Sequence, residues 1–260
     1  MKSQTALITG ASSGIGETFA RMLAEGGMDL VLVARSEDKL RDLARQLAET
    51  YSRRVEVVAL DLSLGGAAEK LKAAVDALGL SVSLLVNNAG FGTAGAFVKQ
   101  DPARERQEVL LNAAVVVDLC HAFVPDMVAR GEGGVINVAS VAAFQPLPFM
   151  TVYAATKAFV LSFTQGLRGE VRRKGVKVMA LCPGPVDTPF FEATGAKDLR
   201  KTVPAITMMT VDKVVAEALR AFKAGKGVVV PGLLNKGMAL STRFVPRDLL
   251  SAVTSAVMKK

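Results

Sequence analysis

"TALITGASSGIG", residues 5–16, places a short β-branched run before a loop holding Gly10, Gly14 and Gly16. The run reads as a strand ending at Thr9, and an amphipathic stretch begins within the loop. Glycine has no Cβ, so the backbone here can turn tightly and let another group approach closely. The first turn of a helix leaves N–H groups unpaired, and together with the helix dipole they meet an anion. Gly10, Ser12, Ser13, Gly14, Ile15 and Gly16 therefore form a candidate pyrophosphate cradle. The spacing, Gly10-x-x-x-Gly14-x-Gly16, departs from the common G-x-G-x-x-G. What carries the reading is the loop's place between a first strand and a first helix.

Working outward, the same alternation recurs along the chain. Short apolar runs occur at 29–34, 55–60, 83–86, 134–139, 176–181 and 227–230, separated by longer stretches with helical spacing. Near-continuous apolar runs mark strands covered on both faces, which implies a parallel sheet. Between them, Leu40, Leu43, Ala44 and Leu47 form one helical stripe. The expected fold is α/β: a single Rossmann-type doubly wound parallel sheet of about seven strands with helices on both faces. Residues 1–231 form its body, and 232–260 form a C-terminal amphipathic extension of the same domain. Around Pro246 this extension splits into two pieces, the second with Leu249, Leu250, Val253 and Val257 on one stripe.

In such sheets the end of the second strand reads the adenosine ribose. An acid there binds the 2′-hydroxyl of NAD, whereas an arginine accommodates the 2′-phosphate of NADP. This strand ends "VLVAR", with Ala34 in the acid's place and Arg35 next. Ser12 can add a hydrogen bond to the same phosphate. The expected cofactor is NADP.

"YAATK", 153–157, sets a tyrosine one helical turn before a lysine with small residues between. Residues i and i+4 share a helix face, about 5–6 Å apart at Cβ. Acid–base work near neutrality needs the phenol pKa lowered by roughly 3 units, or about 4 kcal/mol. A lysine ammonium about 5 Å away supplies about 3 kcal/mol at an effective dielectric near 20. The expectation is thus that Lys157 depresses Tyr153, with a second positive charge supplying the rest.

Composition narrows the function classes. Of 260 residues, 50% are hydrophobic, which suits one large α/β domain. Cys120 and Cys182 stand in no metal-ligand spacing, so no metal site is expected; both read as buried small hydrophobes. No uninterrupted apolar run approaches the ~18 residues of a membrane span, and a strand starts within five residues of Met1. The expected location is cytoplasmic. Net charge is +8, with 14 basic and 16 acidic side chains in 1–130 and 18 and 8 in 131–260. The basic residues are scattered and not interleaved with aromatics, so no nucleic-acid partner is expected. His121, the only histidine, lies about 13 Å along a helix from Asn112 and reads as structural.

Taken in order, "TGASSGIG" (9–16), "DL" (61–62), "NNAG" (87–90), Asn112, Ser140, "YAATK" (153–157) and "PGPVDT" (183–188) resemble the short-chain dehydrogenase/reductase family. The resemblance covers nearly the whole chain and implies NAD(P)-dependent oxidoreduction of an alcohol/carbonyl pair. It assigns catalysis to Asn112, Ser140, Tyr153 and Lys157. Tyr153 would be the general acid/base, Ser140 a hydrogen-bond partner of the substrate oxygen, and Asn112 a water-relay residue. Lys157 would also hold the nicotinamide ribose. It further implies adenine contacts at Asp61 and Leu62, and a cofactor cleft lined by Asn87, Ala89 and Gly90. Pro183, Gly184, Val186 and Thr188 follow, with Thr188 on the nicotinamide carboxamide.

The substrate loops are apolar: "AAFQPLPFM" (142–150), Phe91, "TPFFEA" (188–193) and "ITMMT" (206–210). They suggest a small hydrophobic carbonyl or alcohol substrate, with 185–210 as a lid. The chain is expected to be a homodimer or homotetramer through helices near 103–130 and 152–173, as the resemblance implies. The basic extension can cap the pocket, pack in a dimer or lie on an anionic membrane; packing is the favoured reading and membrane contact is not. The rival function is a catalytically idle NADP-binding sensor or scaffold.

Overall fold

The computed structural model describes residues 4–195, 200 and 205–258. The strands are β1 (Thr5–Thr9), β2 (Asp29–Ala34), β3 (Val55–Ala59), β4 (Val82–Asn87), β5 (Gly133–Val138), β6 (Val176–Leu181) and β7 (Val228–Val229). They form one seven-stranded sheet in the order β3-β2-β1-β4-β5-β6-β7, every neighbouring pair parallel. The helices are α1 (Gly14–Glu25), α2 (Glu37–Tyr51), α3 (Ala67–Ala77), α4 (Pro102–Val109), α5 (Val115–Arg130) and α6 (Thr151–Val171). Then come α7 (Phe190–Ala193), α8 (Val211–Lys223), α9 (Leu233–Ser241) and α10 (Arg247–Met258). Strand order reverses between β1 and β4, and ligands of open α/β sheets bind in the crevice beyond that switch point.

Period two in the strands explains both layers. In β1, Ala6 and Ile8 face the core under α1, α2 and α8, whereas Leu7 faces the opposite core under α3 and α5. In β2, Leu30 and Leu32 go one way and Val31 and Val33 the other. The stripe expected on α2 (Leu40, Leu43, Ala44, Leu47) is buried against the first core. Burying one such leucine stabilises by about 1.5–3 kcal/mol relative to exposure, so the stripe outweighs the helix's otherwise polar surface.

The helical stretch Pro102–Arg130, 29 residues, is by length and mean hydropathy apolar enough to cross a membrane, a possibility that counting uninterrupted apolar runs does not raise. Here it is a core helix in three parts. Asp101 caps α4 by accepting the Ala103 N–H at 2.9 Å, with Pro102 in the first turn. A π-helical turn, Leu110–Ala114, then carries Asn112 inward, and α5 buries Leu119, Phe123 and Met127 before Gly131 (φ +70) ends it. Wide turns of this kind recur at functional sites.

The extension breaks at Pro246 into α9 and α10 and is pinned to the body. Buried Asn235 donates to the Thr207 carbonyl at 3.2 Å, and the Thr254 hydroxyl reaches the Pro146 carbonyl at 3.4 Å. The stripe expected to pack is largely uncovered, however: Leu249 and Val253 are each 55% exposed, and Leu233 and Phe244 more so. Val257's side chain lies outside the described ones. Leu249 and Val253 thus keep more than half of their surface uncovered by the described residues. Truncation after Pro231 is expected to change oligomeric state or raise the substrate KM while the body still melts cooperatively. Light scattering and a melting curve check this. Co-sedimentation of the full-length chain alone with anionic vesicles would instead give the tail to a membrane.

Candidate active site

The cradle sits at the carboxyl end of β1. Gly16 has no room for a side chain, since its Cβ would fall 2.2 Å from the Gly10 carbonyl oxygen and 2.5 Å from Asn88 Nδ2. Asn88 fastens the turn: its amide donates to the carbonyls of Thr9 (2.9 Å) and Gly10 (3.2 Å), and the Thr9 hydroxyl accepts the backbone N–H groups of Asn88 and Ala89. Ser13, the N-cap of α1, makes no side-chain capping bond, so its hydroxyl and the first-turn N–H groups are left to a ligand. A glycine backbone packed this close to a helix N-terminus fits a dinucleotide pyrophosphate.

Arg35 stands exposed past β2. Asp61, half-buried beyond β3, is pushed up by burial. Two hydrogen bonds from Ser63 and the Arg35 charge outweigh this and hold its carboxyl below the usual value. Leu62 is buried behind it. From β6, Pro183 and Val186 are buried, Gly184 presses on Asn235, and Thr188 comes within van der Waals reach of Gly14. The loop after β6 thus folds back over the cradle.

Asn87 is differently placed from the expectation. Its side chain is buried, donates to Asn137 Oδ1 at 2.8 Å, and belongs to a polar chain continued by Asn137 to Thr164. Only Asn87's backbone is left to line a cleft, because alternate strand residues face opposite sides. Gly90 is exposed at the crevice, and Ala89 packs on the α3–α5 core.

The four catalytic candidates converge from β5, the π turn and α6. Ser140, beyond β5, accepts the Ala142 N–H at 3.1 Å, which leaves its own proton to donate. It lies close enough to the Tyr153 phenol to hold the phenol's pKa down. Lys157 is buried and donates to the Val138 carbonyl at 2.9 Å, its Nζ 5.8 Å from the Tyr153 ring centre. Asn112 spends its side chain on Phe91, accepting its N–H (3.1 Å) and donating to its carbonyl (2.8 Å), with Thr156 as a further partner (3.2 Å).

The expected electrostatics are overturned in the chain by itself. Burial pushes the Tyr153 phenol up to about 12; the neighbouring Ser140 pulls the other way and the Glu108 charge adds to the rise. Burial pulls Lys157 down to about 8, with Glu108 opposing. The coulombic estimate at about 5 Å omitted desolvation, which acts on both groups in a crevice walled by Phe190 (5.2 Å between ring centres), Met150 and Gly92.

Of the apolar loops, Phe190 and Met150 wall the phenol, Phe91 lies under Arg104, and Ile206 is exposed. The two ends of the segment expected to form a lid pair through Val186 and Met209, while 196–199 and 201–204 lie outside the described residues. His121 is exposed on α5, and both cysteines are buried and free. Three residues escaped the sequence reading. Asn88 stood inside a quoted motif, Asn235 was a lone amide in an apolar run, and Glu108 was a charge one turn before Asn112.

Gly90 separates Asn112 from Lys157. A Cβ there would stand 2.7 Å from Asn112 Oδ1 and 3.6 Å from Lys157 Nζ. Gly90→Ala is therefore expected to displace Asn112 and lower kcat by tenfold or more with a small change in melting temperature. Steady-state kinetics beside a melting curve check it.

Residues 4–199 match the family described as short chain dehydrogenase. A short-chain dehydrogenase from Sphingobium yanoikuyae, solved in complex with NADPH, is 34% identical with a TM-score of 0.83, over 99% of this chain and 95% of that one. The bulky-bulky ketone specific alcohol dehydrogenase from Comamonas testosteroni is 32% identical with a TM-score of 0.79, over 95% and 96%. The very-long-chain 3-oxoacyl-CoA reductase of Rattus norvegicus is 32% identical over 83% of this chain and 67% of its own length. Another solved structure of this fold holds NAD, so the fold alone does not choose the cofactor.

Proposed function

The chain belongs to the short-chain dehydrogenase family, and on that premise we propose that it interconverts a secondary alcohol and a ketone on a hydrophobic substrate, with NADP(H) as redox partner. Alcohol/carbonyl oxidoreduction is the family's chemistry; substrate, cofactor choice and residue roles are our reading. One observation carries it: a phenol beside a serine at the carboxyl end of the sheet, in an apolar crevice with a buried lysine one turn on. The cradle 10–16 would hold the pyrophosphate, Arg35 the 2′-phosphate, Asp61 and Leu62 the adenine side, Thr188 and Lys157 the nicotinamide side. When bound, that cofactor gives or takes the hydride.

Ser140 donates to the substrate oxygen and fixes its distance from Tyr153. Tyr153, protonated at neutral pH, gives its proton to that oxygen as the carbonyl is reduced and takes it back in the reverse reaction. Phe190 and Met150 exclude water from the transfer. Hydrophobic substrates are supported by those side chains and by the relatives' printed substrates, a bulky ketone and a very-long-chain 3-oxoacyl thioester. Exposed Val109, Leu110 and Phe159 on α4, the π turn and α6 support a homo-oligomer through those helices.

A panel of lipophilic ketones with NADPH, followed by its absorbance, tests the reading. Turnover of bulky aliphatic or steroidal ketones is expected. Cofactor binding with no turnover across the panel would leave the idle sensor or scaffold.

A further inference from the structure

Glu108, on α4, is fully buried. Its Oε2 accepts the Thr93 N–H at 3.0 Å and the Thr93 hydroxyl at 2.6 Å. The other oxygen, Oε1, is buried and meets no hydrogen-bond donor among the described residues. One turn on, Asn112 holds Phe91 by both ends of its amide, so the same helix clamps the loop 91–93 at two points. That duty explains one oxygen and requires no charge; a glutamine would serve it. An ionised carboxylate without a counter-charge is costly in an apolar interior, by several kcal/mol.

The complementary problem lies across the same loop. Lys157 is buried too, and a lysine ammonium has three donors, of which one is spent on the Val138 carbonyl. It forms no salt bridge among the described residues. Gly90 opens the space between: the place its Cβ would occupy is within 3.6 Å of both Lys157 Nζ and Asn112 Oδ1. Asn112 and Lys157 thus face each other across that gap, with Glu108 one turn before Asn112 on the same helical stretch, and among the described residues neither buried charge has a counter-charge in contact. We propose that Glu108 is the charge partner of Lys157, a positioning residue that keeps the ammonium protonated while Tyr153 gives up and regains its proton.

The other groups facing this pair are few. On α4, Glu105 adds negative charge that raises Glu108, and Arg104 lies over the Phe91 ring. On α6, Tyr153 is pushed up by Glu108, and beyond β6 buried Cys182 faces Lys157. Burial raises the Glu108 carboxyl, while Thr93's two donors and Lys157 pull it down. Because Glu108's charge raises both Lys157 and Tyr153, its removal lowers both. In ketone reduction Tyr153 and Lys157 both act protonated, so activity falls as pH rises through their pKa values, and removing Glu108 should move that basic limb to lower pH.

This inference rests on Tyr153 and Lys157 being the acid–base pair, so the deciding experiment reads stability rather than turnover. Melting temperatures at neutral pH without cofactor are compared for the wild type, Glu108→Gln, Lys157→Met and the double variant. Glu108→Gln is expected to destabilise the wild type, yet to leave Lys157→Met unchanged or more stable, since it then removes an orphaned charge. Additive losses overturn the pairing. If Glu108→Gln alone fails to fold, Lys157→Met against the double variant still decides. In kinetics, Glu108→Gln should shift the basic limb of kcat for ketone reduction to lower pH by about one unit. Thr93→Val, which loosens the clamp but keeps the charge, should leave it in place. An unmoved limb in Glu108→Gln also overturns it. An inactive wild type would instead sink the dehydrogenase reading while the melting comparison stood.

Discussion

Tyr153→Phe is expected to lower kcat at least a hundredfold while NADPH binding stays within about threefold. The variant keeps the ring that packs on Phe190 and loses only the hydroxyl beside Ser140. General acid–base catalysis contributes roughly 10²–10⁴. The neighbours available to substitute are unsuited: Cys182 is buried with its thiol pushed up to about 12, and Lys157 is held by the Val138 carbonyl. Cofactor affinity is read by fluorescence titration and kcat by steady-state turnover. Activity retained within tenfold would remove Tyr153 from the chemistry. Lys157→Ala should by contrast damage both quantities, because the lysine is assigned both the phenol and the ribose.

Arg35→Ala should weaken NADPH and leave NADH nearly unchanged. The guanidinium stands exposed at the end of β2, close enough to Asp61 to help lower its carboxyl, so it borders the crevice where the adenosine would lie. A 2′-phosphate carries nearly two negative charges and can take a bidentate pair from arginine. Hydrogen bonds to charged groups contribute about 1.5–3 kcal/mol, which makes the wild-type preference for NADPH at least tenfold. Adding Ala34→Asp places a carboxylate where the NAD ribose offers its 2′-hydroxyl and the phosphate would be repelled. The double variant should therefore reverse the preference, a swing of a hundredfold or more in the ratio of kcat/KM values. Equal wild-type use of NADH and NADPH would make Arg35 a solvated strand-end residue.

These two predictions differ in how much of them was visible before folding. Arg35 needed only a strand end and its neighbour, both of which the apolar run 29–34 supplies. For Tyr153 the identity and helical register were visible, and its acidity was not. Two charges on one helix face invite an attraction calculated in isolation. The opposing desolvation comes from Phe190, Met150 and Gly92, which lie far from one another along the chain. The same holds for Asn87: its motif is local, but the partner that turns its side chain inward, Asn137, is fifty residues away on β5.

By itself, then, the sequence determined the strands, the cradle at 10–16, the helix that carries Tyr153 and Lys157, and the break at Pro246. Each depends on periodicity, glycine placement or proline within a dozen residues. Tertiary structure alone decided the raised phenol, the buried Glu108 with its unpartnered oxygen, the Asn88 and Asn235 fastenings, and the uncovered stripe on α10. Burial and hydrogen-bond satisfaction are properties of a place in the fold, and segments far apart in the chain make that place.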